Sequence, residues 1–465
     1  MAMSRVLLIL PTYGKFFQRI KGLEWIAPPI GLAYLASVLE KSGHEVKIFD
    51  MQIEKKSLNK VLNSFKPDIV GVSSSTPAFN DAINILHQVK KFNPNIKTII
   101  GGPHPSALPK ETAAEPCVDI VVYGEGEITL NELVNNHFSL KNCKGIAYKK
   151  KGKVAINKIR PPIINLDSLP FPAYHLLSIE KYYHPLMKDK RIMSILTSRG
   201  CPFNCIYCNK NIFGHAFRER SAVNVVDEIE FLIENYKIEE FHIIDDNFTL
   251  NRKHAIDVCK EIIRRNLDIK WATPNGIRAD TISNNLIRLM KRSGCYSVLI
   301  GVESGSSRIL RSIGKNITLD KIKRAFKICK EEKLETTASL VIGLPGETPD
   351  DLRKTIEFTK KLQPDVADFH MLIPLPGTPV YNYLKQNGLI IETDWSKYSF
   401  HTEPVFRTKE LTKEEILEWY KRAYREFYMN PKYIFGRLMK MKSISDVRAN
   451  LRGLSTILQS FVLRK

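Results

Sequence analysis

At 465 residues the chain is longer than one hydrophobic core usually organises, so two or three domains are expected and a disulfide miniprotein is excluded. A hydrophobic content of 43% beside 26% charged residues, 24 glycines and 25 prolines excludes collagen-like, low-complexity and disordered chains. Lys and Arg outnumber Asp and Glu by 70 to 49, a net charge of +21 that favours anionic partners: nucleic acid, phosphorylated metabolites or an acidic membrane face.

The chain opens on RVLLILP, too short for a signal-peptide core, and no apolar run reaches the ~18 residues that cross a bilayer, so a cytoplasmic protein is expected. A helix over PPIGLAYLASVLEKSG follows, with Leu32, Leu35, Ala36 and Leu39 at helical spacing and Gly43 suited to its C-terminal cap. Strands at HEVKIFD, PDIVGVSSS, KTIIGG and DIVVYG complete a βα alternation that predicts an α/β fold, a Rossmann-like doubly wound parallel sheet over residues 1–145. The first turn, PTYGKFF, lacks the G-x-G-x-x-G phosphate cradle, which argues against a dinucleotide. Residues 146–190, with Lys149, Lys150, Lys151 and Lys153 and a proline-rich passage from Pro161 to Pro172, read as a linker.

Strand-like runs then recur at MSILTSRG, FHIIDD, KWATPNG, SVLIGVES, TASLVIGLPG and FHMLIPLPG, predicting a partial TIM-like (β/α)6 barrel over 191–383. Residues 384–465 read as loops followed by basic amphipathic helices, and residues 428–465 hold eight basic residues against Asp446 alone. There Leu451, Leu454, Leu458, Phe461 and Val462 form an apolar stripe suited to an anionic membrane surface or to packing on the barrel.

Three of the eight cysteines, Cys201, Cys205 and Cys208, crowd onto the loop after the first barrel strand, at the end where such folds do chemistry. Three thiolates can bind three irons of a 4Fe-4S cube and leave the fourth iron open. Structural zinc is the alternative, but it needs a closed set of four ligands and the only further His or Cys nearby is His215. Cys117, Cys143, Cys259, Cys295 and Cys329 read as small buried residues.

The C-x3-C-x2-C loop with an aromatic before its last cysteine, on the first strand of a six-unit barrel, resembles the radical S-adenosylmethionine enzymes. The resemblance implies that Cys201, Cys205 and Cys208 ligate the cluster, that the methionine end of the cofactor chelates the open iron, and that reductive cleavage gives a 5'-deoxyadenosyl radical. It also implies that Tyr207 lies by the adenine and that carbonyls near Asp245 and Asp246 receive the methionine ammonium group. Glu303 would stand near the ribose, while Gly343 and Gly346 let backbone approach the adenine. Arg278 could face a carboxylate or be a solvated strand-end arginine.

PPIGLAYLASVLEKSGHEVKIFD, IIGGPHPSALP and VVYGEGEITLNEL resemble the cobalamin-binding domain that precedes the barrel in one branch of this family. Candidate cobalamin contacts are Ser73, Ser74 and Ser75, then Gly101, Gly102 and His104, then Gly124, Glu125 and Gly126, at three successive strand ends. The D-x-H-x-x-G motif is absent, so cobalt would lack a histidine below, or the domain would have lost its cofactor.

The resemblance implies a cobalamin-dependent methyltransferase acting on an unactivated carbon through methylcobalamin and a 5'-deoxyadenosyl radical, with a small-molecule or lipid substrate. An external electron donor such as ferredoxin or flavodoxin is implied too. Oxidative cyclisation or carbon-carbon coupling is the rival outcome, and a non-catalytic cobalamin- or membrane-binding protein with a structural cluster is the rival class. Nucleic acid is disfavoured, because the methylthio-transferring relatives that act on tRNA need a second cysteine triad upstream, where only Cys117 and Cys143 stand.

Overall fold

A computed structural model describes residues 3–12, 25–185, 187–399 and 403–440. Five parallel strands form the first sheet: β1 (Arg5–Leu10), β2 (Glu45–Asp50), β3 (Ile69–Ser73), β4 (Lys97–Gly101) and β5 (Ile120–Val122). Between and after them run α1 (Ile30–Lys41), α2 (Leu58–Phe65), α3 (Phe79–Phe92), α4 (Pro103–Ala107), α5 (Pro109–Ala114) and α6 (Glu127–Asn135). Strand order is β2-β1-β3-β4-β5, so the direction of winding reverses between β1 and β3. Ligands of such sheets sit outside the carboxyl ends of the strands at that reversal. Apolar residues on both faces of β1 explain the double winding: Val6 and Leu8 pack with α1 and α6, Leu7 and Ile9 with α2 and α3.

The sheet extends past residue 145. Residues read as the start of a linker form an antiparallel hairpin, β6 (Ile146–Lys150) and β7 (Lys153–Ile156), joined to β5. The lysine run that suggested a linker is the solvated end of this hairpin; Ile146, Ala147 and Tyr148 are buried while Lys149 and Lys150 are exposed.

The second sheet is wholly parallel in the order β15-β14-β13-β12-β11-β8. Its strands are β8 (Ile192–Ile195), β11 (Glu240–Ile243), β12 (Lys270–Ile277), β13 (Cys295–Glu303), β14 (Glu335–Ile342) and β15 (Val366–Met371). The short strands β9 (Ser198–Arg199) and β10 (Arg218–Glu219) pair antiparallel beside it. The helices are α7 (Ala222–Tyr236), α8 (Arg252–Arg264), α9 (Asn284–Arg292), α10 (Ser307–Ser312), α11 (Leu319–Glu331), α12 (Pro349–Leu362), α13 (Pro379–Gln386), α14 (Lys413–Tyr428) and α15 (Pro431–Lys440).

Alternate residues such as Val298, Ile300, Ala338, Leu340 and Phe369 join the core, whereas Ser339, Asp368 and His370 take the opposite face. Six strands leave β15 as an open edge, which α14 covers. The Tyr428 hydroxyl donates to the Ala367 carbonyl at 2.9 Å, and that of Tyr424 to the Phe369 carbonyl at 3.1 Å, so edge backbone groups are satisfied by side chains.

Candidate cofactor site

The three-thiol loop is held at both ends by the β9–β10 ribbon, which turns residues 200–217 into one tethered excursion. Within it the Cys208 amide donates to the Cys205 carbonyl at 3.2 Å and the Ile206 amide to the Ile313 carbonyl at 3.0 Å. Gly200 (φ +86°) faces the Ala216 carbonyl and Gly314 (φ +71°) that of Asn204, each too close for a Cβ. The Arg278 guanidinium lies 3.6 Å from the Phe203 ring centroid, donates to Asp280 at 2.9 Å and to the Lys315 carbonyl at 3.0 Å, and so braces the loop.

All eight cysteines are free thiols; Cys201 and Cys205 are half-buried and Cys208 is exposed, while the other five are buried. Among the described residues no three His, Cys, Asp or Glu side chains converge on one metal ion. Zinc would gather its sulfur ligands within ~2.3 Å of a single point, whereas a cube engages each thiolate through a different iron. Three free thiols on one loop, Cys201, Cys205 and Cys208, are the donor set that a cube with one open iron takes. His215 Nδ1 stands 3.5 Å from Lys210 Nζ.

Asp245 and Asp246 serve the same loop through their side chains. Asp245 accepts from the Thr197 amide at 2.7 Å and the Ser198 hydroxyl at 2.6 Å, and burial raises its carboxyl to about 6 despite these bonds. Asp246 accepts from the Gly200 amide at 2.9 Å. The main-chain carbonyls expected to meet an ammonium group are presently taken by Asn275, whose Nδ2 donates to Asp245 O at 2.9 Å and Ile244 O at 3.2 Å. Sequence reasoning passed over Asn275; its signal was an Asn-Gly pair inside a strand pattern, where β12 slips register between Thr273 and Ile277.

Glu303, in the left-handed region at φ +63°, has its carboxylate paired with Lys315 Nζ at 2.7 Å, and both side chains are buried. Tyr207 lies beside it, and burial followed by the Glu303 charge holds its phenol well above the usual range. A Cβ on Gly343 (φ +88°) would sit 3.1 Å from Phe406 and 3.2 Å from Ile416. The glycine allows a turn whose amides, Gly343 and Leu344, donate to Glu347 at 2.8 and 3.2 Å. Gly346 (φ +79°) donates to Glu410 at 3.2 Å.

Full burial raises the Glu347 carboxyl from 4.5 to about 8. Between those values the folded chain holds a proton that the unfolded chain has lost, so its contribution is complete below the lower value and fades as pH rises, by up to about 1.4 kcal/mol per pH unit. Thermal melts should accordingly show stability declining toward about pH 8, and Glu347→Gln should flatten that decline; an unchanged slope would refute the assignment.

At the edge of the first sheet, Ser73 ends β3, Ser74 Oγ donates to the Ser75 carbonyl at 3.0 Å, and Ser75 Oγ is buried without a partner. Gly101 and Gly102 lock strand ends together: the Ser74 amide donates to Gly101 O at 2.8 Å, and a Cβ on Gly102 (φ +99°) would lie 2.8 Å from Ser74 O. His104 is buried, its ring 4.1 Å from Phe79 and 5.0 Å from Trp395, and burial lowers it to about 4, so it is neutral near pH 7. Gly124 (φ +77°) has open space where a Cβ would project, and Gly126 abuts Leu35.

Glu125 Oε1 takes Arg218 at 2.7 Å and its Oε2 the Ile163 amide at 2.6 Å. Glu127, absent from the sequence reading, pairs with Arg199 at 2.7 Å. An orphaned buried hydroxyl and a side-chain-free turn at the carboxyl ends of β3 and β5 fit a bulky, amide-armed cobalamin at this edge.

Residues 23–134 match the B12 binding domain family and residues 195–359 the radical SAM superfamily. An uncharacterized methyltransferase of Pyrococcus horikoshii is 38% identical over 98% of this chain and 98% of its own. The anaerobic magnesium-protoporphyrin IX monomethyl ester cyclase of Rubrivivax gelatinosus is 32% identical over 92% of this chain and 78% of its own. Among solved structures, the radical S-adenosylmethionine methyltransferase TsrM of Kitasatospora setae, with cobalamin and a 4Fe-4S cluster bound, superposes with a TM-score of 0.74 over 99% of both chains at 17% identity, a likeness of fold.

Proposed function

The chain belongs to the radical S-adenosylmethionine enzymes that carry a B12-binding domain ahead of the barrel, and on that premise we propose that it methylates an unactivated carbon. Cys201, Cys205 and Cys208 hold the 4Fe-4S cluster, and the glycine-lined edge after β3, β4 and β5 holds cobalamin. When bound, the cluster supplies the electron that cleaves S-adenosylmethionine and cobalamin supplies methyl transfer.

This chain's residues do the placing. Asp245, Asp246 and Arg278 fix the cluster loop, and Tyr207 beside the Glu303–Lys315 pair walls the barrel mouth. The carrying observation is that the ends of the three-thiol loop meet the turn after β5 directly, Arg199 pairing with Glu127 and Arg218 with Glu125, each at 2.7 Å.

In the test, anaerobically reconstituted protein receives dithionite, S-adenosylmethionine and fractionated metabolite extract. A methyltransferase releases one S-adenosylhomocysteine for each 5'-deoxyadenosine and makes a product one methylene heavier than substrate. Release of 5'-deoxyadenosine without S-adenosylhomocysteine, with a product short of hydrogen, would support the cyclase reading that the Rubrivivax relative suggests. Release of neither would leave the non-catalytic reading.

We further propose a cytoplasmic enzyme with an external electron donor and a peripheral contact with an anionic membrane. No helix among the described residues is long and apolar enough to cross a membrane. On α15, Tyr433 packs 4.7 Å from Phe427, while Ile434, Phe435, Leu438 and Met439 are exposed on a helix that has no acidic residue. The stripe suggested over Leu451–Val462 lies outside the described residues. Phe435→Asp combined with Met439→Asp should abolish co-sedimentation with phosphatidylglycerol vesicles, and salt should weaken wild-type binding. Equal sedimentation of both proteins would contradict the contact.

A further inference from the structure

Four buried charges join the two halves of the site. Arg199 donates to Glu127 at 2.7 Å and to Glu125 at 3.4 Å, and Arg218 donates to Glu125 at 2.7 Å; all four side chains are 4–8% exposed. Arg199 stands two residues before Cys201, and Arg218 closes the same loop, donating to the Ala216 carbonyl at 3.2 Å and the Phe213 carbonyl at 3.0 Å. Arg199 also lies between two rings, 5.2 Å from Tyr34 of α1 and 5.0 Å from Phe213 of the loop. The carboxylates flank Gly126, in the turn between β5 and α6 whose Gly124 opens on the sheet edge.

We infer that Glu125, Glu127, Arg199 and Arg218 are positioning residues that clamp the cluster loop to the cobalamin-side turn and so set the gap between the two cofactors. This rests on the proposed function, since the gap exists only if both cofactors are bound. Stability alone is a poor account of the arrangement: buried ion pairs recover little more than their desolvation cost, and apolar residues of equal volume often serve as well. An ion-paired guanidinium differs from an apolar contact in being directional, since its planar fork fixes angle as well as distance. Both ends of the cluster loop are tied to one turn, so neither can shift without the other. Two reactive centres acting on one substrate need that constancy, because a displacement of about 1 Å can cost on the order of 10²-fold in rate.

The test uses full-length protein reconstituted with cluster and cobalamin, as wild type, Glu127→Gln and Arg199→Lys. The lysine variant keeps a positive charge in the buried network, which guards against loss of the fold. Iron content and visible absorbance report loading, melting reports stability, and pulsed electron paramagnetic resonance reports the magnetic coupling between reduced cluster and paramagnetic cobalamin. Loading at wild-type levels with loss of the resolved coupling in both variants is the expected result. Wild-type coupling in variants that only melt earlier would overturn the inference and leave the quartet as domain cement. Wild-type protein that takes up only one cofactor would overturn the functional reading and the inference together.

Discussion

Cys205→Ser is expected to reduce bound iron and 5'-deoxyadenosine formation to background while leaving the fold intact. In the proposed assignment each of the three thiolates would hold one iron of the cube, so losing one thiol removes a ligand that a serine hydroxyl replaces poorly. The residue is only half-buried, so removing its sulfur creates no core cavity. The contrast lies in Cys259 and Cys295, fully enclosed in the barrel core, where burial keeps both thiols protonated near pH 7. Serine there should cost roughly 1–3 kcal/mol through its poorly satisfied hydroxyl yet leave iron content unchanged. Iron and sulfide analysis with melting of the three variants separates the two patterns; a Cys205→Ser protein that keeps its cluster would refute the ligand assignment.

The parts of this site that were legible in the sequence are those written locally. Strand-helix alternation shows as changes of hydrophobic period, and the thiols fall within eight residues on a strand end. What escaped was pairing over distance: Glu125 and Arg218 are 93 residues apart and Glu127 and Arg199 are 72 apart, so Glu125 read as a cofactor contact and Glu127 as nothing. The surroundings of Gly343 were hidden for a related reason. A glycine signals that a side chain is missing, but only the fold shows that Phe406 and Ile416 fill the space. The hairpin at 146–156 was hidden because its lysines carry the composition of a linker while its buried residues are few. Asn275 was hidden by a register slip that no periodicity records.

Lys315→Met is expected to destabilise the protein by about 3–5 kcal/mol, because it leaves the Glu303 carboxylate buried without its counter-ion. The pair is tightly set: a Cβ on Gly301 would lie 2.6 Å from Glu303 Oε1 and 2.7 Å from Lys315 Nζ, which is why this point of β13 has no side chain. Protonation relieves an uncompensated buried carboxylate, so the deficit should shrink as pH is lowered. Removing the charge as well, in Glu303→Gln with Lys315→Met, should recover most of the stability, since losing both partners costs less than stranding one. Function should not recover in parallel. Lys315 also offers its carbonyl to Arg278, which braces Phe203, and Glu303 adjoins Tyr207, so the pair links the barrel wall to both ends of the cysteine run. Melts of wild type and the two variants at several pH values, with 5'-deoxyadenosine release from cluster-loaded protein, test both halves. A double variant no more stable than Lys315→Met would show that packing around the lysine stem, and not charge compensation, holds this part of the barrel.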